Sequence, residues 1–194
     1  MLKRISLVLM TVVMAWTSAL AGDYDVLHDR RIQNPMLWAD VPDPDVIRVG
    51  DTFYLVSTTM HLMPGAPIMK SRDLKNWQTV GYVFDTLTDS PKYDMQEGTV
   101  YGRGQWATSL KYHNGRFYAL LAPNEHGKMG QSYIFTAEQA EGPWTLHSRL
   151  PHFHDATLFF DDDDRVYVVY GTGEMVELNS TLTAVVDGSH RQLF

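Results

Sequence analysis

The sequence predicts an all-β fold, a β-propeller with about three blades in this chain. Three observations point there. One hairpin pattern occurs three times, a second strand pair follows each copy, and long amphipathic helical periodicity is missing. The hairpins are DVIRVGDTFYLVST (Asp45–Thr58), TSLKYHNGRFYALLA (Thr108–Ala122) and ATLFFDDDDRVYVVYG (Ala156–Gly171). Each is a short apolar strand, a polar turn, and a strand built around a tyrosine. Turn chemistry flanked by β-branched and aromatic residues is the hairpin signal. Tyr54, Tyr118 and Tyr167 mark the copies at intervals of 64 and 49 residues.

The second pairs complete four-stranded units. IMKSRDLKNWQTVG (Ile68–Gly81) and IFTAEQAEGPWTLHS (Ile134–Ser148) each read as strand, polar turn, Trp and strand. MVELNSTLTAVV (Met175–Val186) is a looser third copy. Tandem four-stranded units stack radially in a propeller and leave only short, protected edges. A two-sheet sandwich with similar hairpins is the competing architecture. Propellers typically close with 4–8 blades, so three imply an N-terminal fragment of a longer protein, with sheet edges and an apolar side open to association.

Residues 1–21 read as a signal peptide: Lys3 and Arg4, an apolar run from Ile5 to Trp16, then Ala19-Leu20-Ala21 as cleavage site. The apolar run is short for a membrane span. Export to the periplasm or medium is therefore expected, with residues 22–194 as the folded part. Losing Lys3 and Arg4 takes the formal charge from −7 to −9. That acidity argues against nucleic acid and anionic membranes as partners. Zero cysteines exclude disulfides and thiolate metal sites.

The opening blade carries the first candidate for chemistry. In WADVPDPDVIRVG, Asp43 stands between Pro42 and Pro44, just ahead of the innermost strand. The prolines restrict the backbone on both sides and would aim the carboxylate. Asp155 holds the equivalent place in the third blade, so both carboxylates should face the propeller axis. Each alone could simply start a turn; two in register around a funnel point to glycoside hydrolysis, where one carboxylate activates water and another acid protonates the leaving oxygen.

These motifs together resemble glycoside hydrolase family 43. The segments are NPMLWADVPDPDVIRVGDTFYLVSTT, MHLMPGAPIMKSRDLKNWQTVG, GQWATSLKYHNGRFY, AEGPWTLHS and HDATLFFDDDDRVYVVYG, covering nearly all of Asn34 to Phe194. The resemblance implies a five-bladed propeller acting on pentose-containing plant polysaccharides or oligosaccharides, as β-xylosidases and α-L-arabinofuranosidases do, with inversion. It implies that Asp43 is the general base and that Asp155 orients the catalytic acid and tunes its pKa. It places that acid, a glutamate, at the start of a fourth blade, beyond Phe194; the fragment alone is expected to be inactive. Glu174 does not match the acid's context. Trp106 is a candidate wall for the sugar, with core packing as its alternative, and Met60 and His61 match a substrate-lining stretch. Many members read W-A-P-D where this chain has Trp106-Ala107-Thr108-Ser109, which puts a role for Ser109 in doubt.

No cofactor is expected for the reaction. Some members hold a structural calcium or sodium ion in the central channel, and this sequence does not show its ligands. His152, His154 and Asp155 could be read as metal ligands, but H-x-H is common by chance. Asp161–Asp164 lacks the glycine and final glutamate of an EF-hand and falls in a hairpin turn. The competing functions are a non-catalytic carbohydrate-binding propeller, an inactive remnant, or a structural propeller for protein contacts.

Overall fold

The computed structural model describes residues 32–125 and 128–194. The proposed signal peptide lies outside the described residues. Strands alternate with turns in three antiparallel meanders. Blade one is β1 (Asp45–Val49), β2 (Thr52–Val56), β3 (Gly65–Ser71) and β4 (Gln78–Phe84). Blade two is β5 (Gly104–His113), β6 (Arg116–Glu125), β8 (Ser132–Ala137) and β9 (Thr145–Leu150), with β7 (Lys128–Met129) paired to the end of β6. Blade three is β10 (Thr157–Phe160), β11 (Val166–Tyr170), β12 (Glu174–Leu178) and β13 (Arg191–Gln192). Among the described residues the one helical element is a 3-10 turn, Pro91–Asp94.

The predicted hairpins all form, with Tyr54, Tyr118 and Tyr167 on their second strands. The looser third copy departs. After β12, residues near Thr183–Val186 make only an isolated bridge, Leu178 to Val185, and the fourth strand forms later, at Arg191–Gln192. The Asn179 side chain explains the delay. Its Oδ1 accepts from the amides of Thr183 and Ala184 at 2.8 and 3.3 Å, closing a turn where a strand was expected.

Blades are held by stacking. Strand side chains alternate between faces, and β6 shows what that achieves. Phe117, Ala119 and Leu121 pack with Val56, Ile68 and Val83 of blade one. Tyr118 and Leu120 face the other way, toward Leu158, Val168 and Val176 of blade three. Blade two is thus buried on both faces, and two cores lie between the blades. The segment between blades one and two is tied into the first core by Leu87, Tyr93 and Val100. Its Asp89 accepts from Arg149 Nε at 3.3 Å, and burial, then hydrogen bonding to Asp89, pushes the Tyr133 phenol up.

The turn between β3 and β4 shows what SRDLKNW encodes. Ser71 Oγ accepts from the Asp73 and Leu74 amides. The Asp73 carboxylate accepts from the Lys75 and Asn76 amides at 2.9 and 2.8 Å and from Asn76 Nδ2 at 2.7 Å. Burial raises the Asp73 pKa, but these bonds outweigh it and hold the group at about 2. A depressed carboxylate contributes stability above its unfolded pKa that is lost as pH falls through the folded value. Asp73→Ala should therefore cost about 2 kcal/mol at neutral pH. It should also flatten the loss of stability between the model-compound value, 3.8, and about 2. Urea melts of both proteins across that range check this.

Candidate active site

A side chain on the innermost strand of blade one, and one on that of blade two, reaches into the next blade. Asp45 Oδ2, at the start of β1, accepts from the Leu110 amide of β5 at 2.8 Å and from Lys111 Nζ at 2.9 Å. Ser109 Oγ, on β5, accepts from the Leu158 amide of β10 at 3.2 Å and lies 3.0 Å from Thr157 Oγ1. Asp45 and Ser109 each stand four residues before the end of their strand. Ser109 therefore corresponds to Asp45 rather than to Asp43, and its doubtful role becomes a structural one.

Two residues upstream of Asp45, Ser109 and Thr157 stand Asp43, Ala107 and Asp155. All three line one concavity of about 330 Å³, with Pro44, Thr108 and Ala156 between the blade heads. Asp43 and Asp155 also share a backbone conformation, with φ of 48° and 47°. This left-handed region is uncommon for residues other than glycine, and aspartate is enriched in it. The turns that hold them match as well. The Thr58 amide donates to Pro42 O at 3.1 Å, and the Gly171 amide donates to His154 O at 2.8 Å.

The prolines do not act alone on Asp43. A residue before proline is normally driven to extended backbone, and Asp43 is instead at positive φ. Thr58 Oγ1 donates to Asp43 Oδ2 at 3.0 Å, while Ser57 Oγ donates to Pro42 O at 2.9 Å. Asp155 Oδ2 lies 3.4 Å from His154 Nε2. Both aspartates are exposed.

Trp106, Met60 and His61 lie outside the lining of that concavity. Trp106 sits at a β-bulge, where β5 has one residue more than β6 between the Gln105–Pro123 and Thr108–Leu121 pairs. Bulges re-aim side chains. The half-buried Trp106 ring lies 6.2 Å from the His154 ring, with the Arg103 guanidinium 5.7 Å from its own centre. Its Nε1 is buried and has no hydrogen-bond partner among the described residues. Met60 uses its backbone, exchanging two 2.9 Å hydrogen bonds with Gln105. His61 packs 4.7 Å from the Tyr101 ring and accepts from the Gly102 amide at 3.4 Å.

Gln105 is the residue that sequence reasoning missed. It is fully buried, and its Oε1 accepts from the Thr59 amide and hydroxyl at 2.7 and 2.9 Å. Its Nε2 donates to Trp106 O and to Thr108 Oγ1. Gly104, at φ +96°, lets this strand pass against the Met60 carbonyl, where a Cβ would collide. A Gln at the start of a largely apolar strand was the available signal.

His152 and His154 do stack on one side, with ring centres 6.3 Å apart. Burial, then the neighbouring His154, holds His152 below the ordinary imidazole range. Among the described residues no three His, Asp or Glu side chains converge as a metal site. Asp161–Asp164 is an exposed turn: Asp161 Oδ1 accepts from the Asp163 and Arg165 amides.

The profile of the glycosyl hydrolases family 43 matches residues 32–189. The chain belongs to family 43. A β-xylosidase of Formosa agariphila is 32% identical over 182 residues, which is 91% of this chain and 29% of that protein. The non-reducing end α-L-arabinofuranosidase BoGH43B of Bacteroides ovatus is 32% identical, over 75% of this chain and 26% of that one. Among solved structures, a bifunctional GH43-CE protein of Bacteroides eggerthii superposes with a TM-score of 0.76 and 42% identity. That match covers 83% of this chain and 21% of that one. The family 43 chain thus spans roughly a fifth to a third of the length of these relatives. The family neighbours are five-bladed propellers, of which this chain supplies three blades.

Ser109→Ala leaves the buried Leu158 amide without its side-chain acceptor, which should cost about 1–3 kcal/mol. Ser109→Thr keeps the hydroxyl and should recover part of that loss. Chemical denaturation of both variants reads the difference.

Proposed function

We propose that this protein hydrolyses O-glycosidic bonds in pentose-containing plant polysaccharides and oligosaccharides such as xylan, arabinan and arabinoxylan, by an inverting mechanism, outside the cytoplasm. The observation that carries the reading is the shared concavity of Asp43 and Asp155, reached from two blades in one backbone conformation. Names of the relatives in both xylosidase and arabinofuranosidase classes support the substrate class.

Asp43 is the general base. An ionised carboxylate accepts hydrogen bonds, and the Thr58 hydroxyl on one of its oxygens fixes the direction of the other toward a water under the anomeric carbon. The proton moves from that water to Asp43 as the oxygen attacks, and the leaving oxygen takes a proton from a glutamic acid on the following blade. Asp155 stands beside that acid. A neighbouring negative charge raises the acid's pKa and keeps it protonated. Trp106, with Arg103 and His154 against it, is the candidate wall for a sugar that extends beyond the concavity, and Met60 and His61 are candidate substrate-lining residues there.

The competing reading is a sugar-binding propeller without hydrolysis. The two separate on Asp43→Asn. If Asp43 is the base, hydrolysis of aryl pentosides falls about 10²–10⁴-fold, while oligosaccharide binding persists. Unchanged hydrolysis in that variant contradicts the assignment. Sugar binding by the complete protein, fourth blade included, with no hydrolysis of any pentoside supports the second reading.

A further inference from the structure

Blades one and three hold their equivalent aspartates with different partners. The pairing of β1 with β2 sets Asp45 opposite Val56, and that of β10 with β11 sets Thr157 opposite Val169. Two residues beyond these paired ends, Asp43 comes opposite Thr58 and Asp155 opposite Gly171. One backbone hydrogen bond closes both turns, from the Thr58 amide to Pro42 O and from the Gly171 amide to His154 O. In blade one the Thr58 hydroxyl also donates to the Asp43 carboxylate. Gly171 has no side chain to do the same for Asp155, and the site does not accept one. Its φ is +57°, and a Cβ there would come to 2.6 Å from Glu174 Oε2, which accepts from the Thr172 amide. An orienting group for Asp155 has to come from another direction.

His154 stands in that direction. Its Nε2 lies 3.4 Å from Asp155 Oδ2, and contacts of this kind tighten once a substrate is seated. The side chain is half exposed, yet its surroundings hold it. The Trp106 ring stands 6.2 Å away, and the His152 ring, nearly parallel at 18°, stands 6.3 Å away. The neighbouring Phe153 is buried in the second core, and its amide donates to Ser132 Oγ at 2.8 Å. Among the described residues, the charged and titratable groups against this cluster are Asp155 and His152, on the same segment, and Arg103, from the segment before β5. Burial, then His154, holds His152 below the ordinary imidazole range, so at neutral pH it is an uncharged ring.

We infer that His154 is the positioning residue of Asp155: with its proton on Nε2, the imidazole does for Asp155 what the Thr58 hydroxyl does for Asp43. This rests on the proposed glycosidase reading and deepens it. A carboxylate raises the pKa of a neighbouring acid through its charge, and the effect falls with distance. An Asp155 free to rotate spends less time beside the acid, and the acid then loses its proton at lower pH. His154 acts through Asp155 and not on the sugar.

Two substitutions in the complete protein, fourth blade included, separate positioning from packing. His154→Phe keeps a ring beside Trp106 and His152 and removes the donor. His154→Gln removes the ring and keeps a side-chain N–H. With aryl pentosides, His154→Phe should lower kcat about tenfold, the low end for a hydrogen bond to a charged group, and leave KM nearly unchanged. It should also move the alkaline limb of the kcat/KM profile, which reports the acid, to lower pH. His154→Gln should restore most of kcat and return the limb toward its place. Both variants should melt like the unaltered protein, because an exposed pair adds little stability. An unchanged kcat in His154→Phe overturns the inference, and so does an alkaline limb that stays in place or moves to higher pH. A loss in His154→Gln with none in His154→Phe assigns the ring to packing and overturns it as well. If the unaltered complete protein hydrolyses no pentoside, the glycosidase reading fails and this inference fails with it.

Discussion

The hydrogen bonds that pass from the head of one blade to the innermost strand of the next are the constraint on which the site depends. Hydrophobic stacking between blades is strong but non-directional, and two sheets packed only by Val, Leu and Phe could settle in several registers. Asp45 on the Leu110 amide and Ser109 on the Leu158 amide remove that freedom. They fix the depth of each innermost strand relative to its neighbour. The residues two positions upstream then come to the same level around one concavity. Asp43 and Asp155 line that concavity from two blades whose relative depth is set by side chains that carry out no chemistry.

This divides the aspartates by task. Asp45 is occupied by an amide and a lysine, Asp73 by four donors in its turn, and Asp89 by Arg149. A carboxylate committed in this way has little capacity left for a water or a sugar. Asp43 is oriented by a hydroxyl and Asp155 lies next to an imidazole, and both remain exposed. The opening stretch holds four aspartates between Asp40 and Asp51, and hydrogen bonding, not spacing, distinguishes Asp43 from Asp45.

Much of the fold was legible because its signals are local. A polar turn between period-two strands specifies a hairpin wherever it occurs, and three tyrosine-centred copies specified three blades. The pairing of Asp43 with Asp155 followed from repeat position alone. What escaped the sequence depends on contacts between distant segments. The positive φ of Asp43 is maintained by Ser57 and Thr58, which directly follow β2. The value of Ser109 appears only when Leu158 lies across from it, and that of Gln105 only when Thr59 and Met60 arrive. The late fourth strand of blade three reflects a turn that Asn179 closes locally, where alternation of polar and apolar residues was a misleading guide.

The most direct test of the account is the position of a bound pentose. A crystal structure of the protein with xylobiose or arabinobiose should place one ring in the concavity between Asp43 and Asp155, with its anomeric carbon facing the Asp43 carboxylate. A sugar bound elsewhere on the blades, with that concavity occupied by solvent alone, would contradict the claim that the blade heads assemble the site.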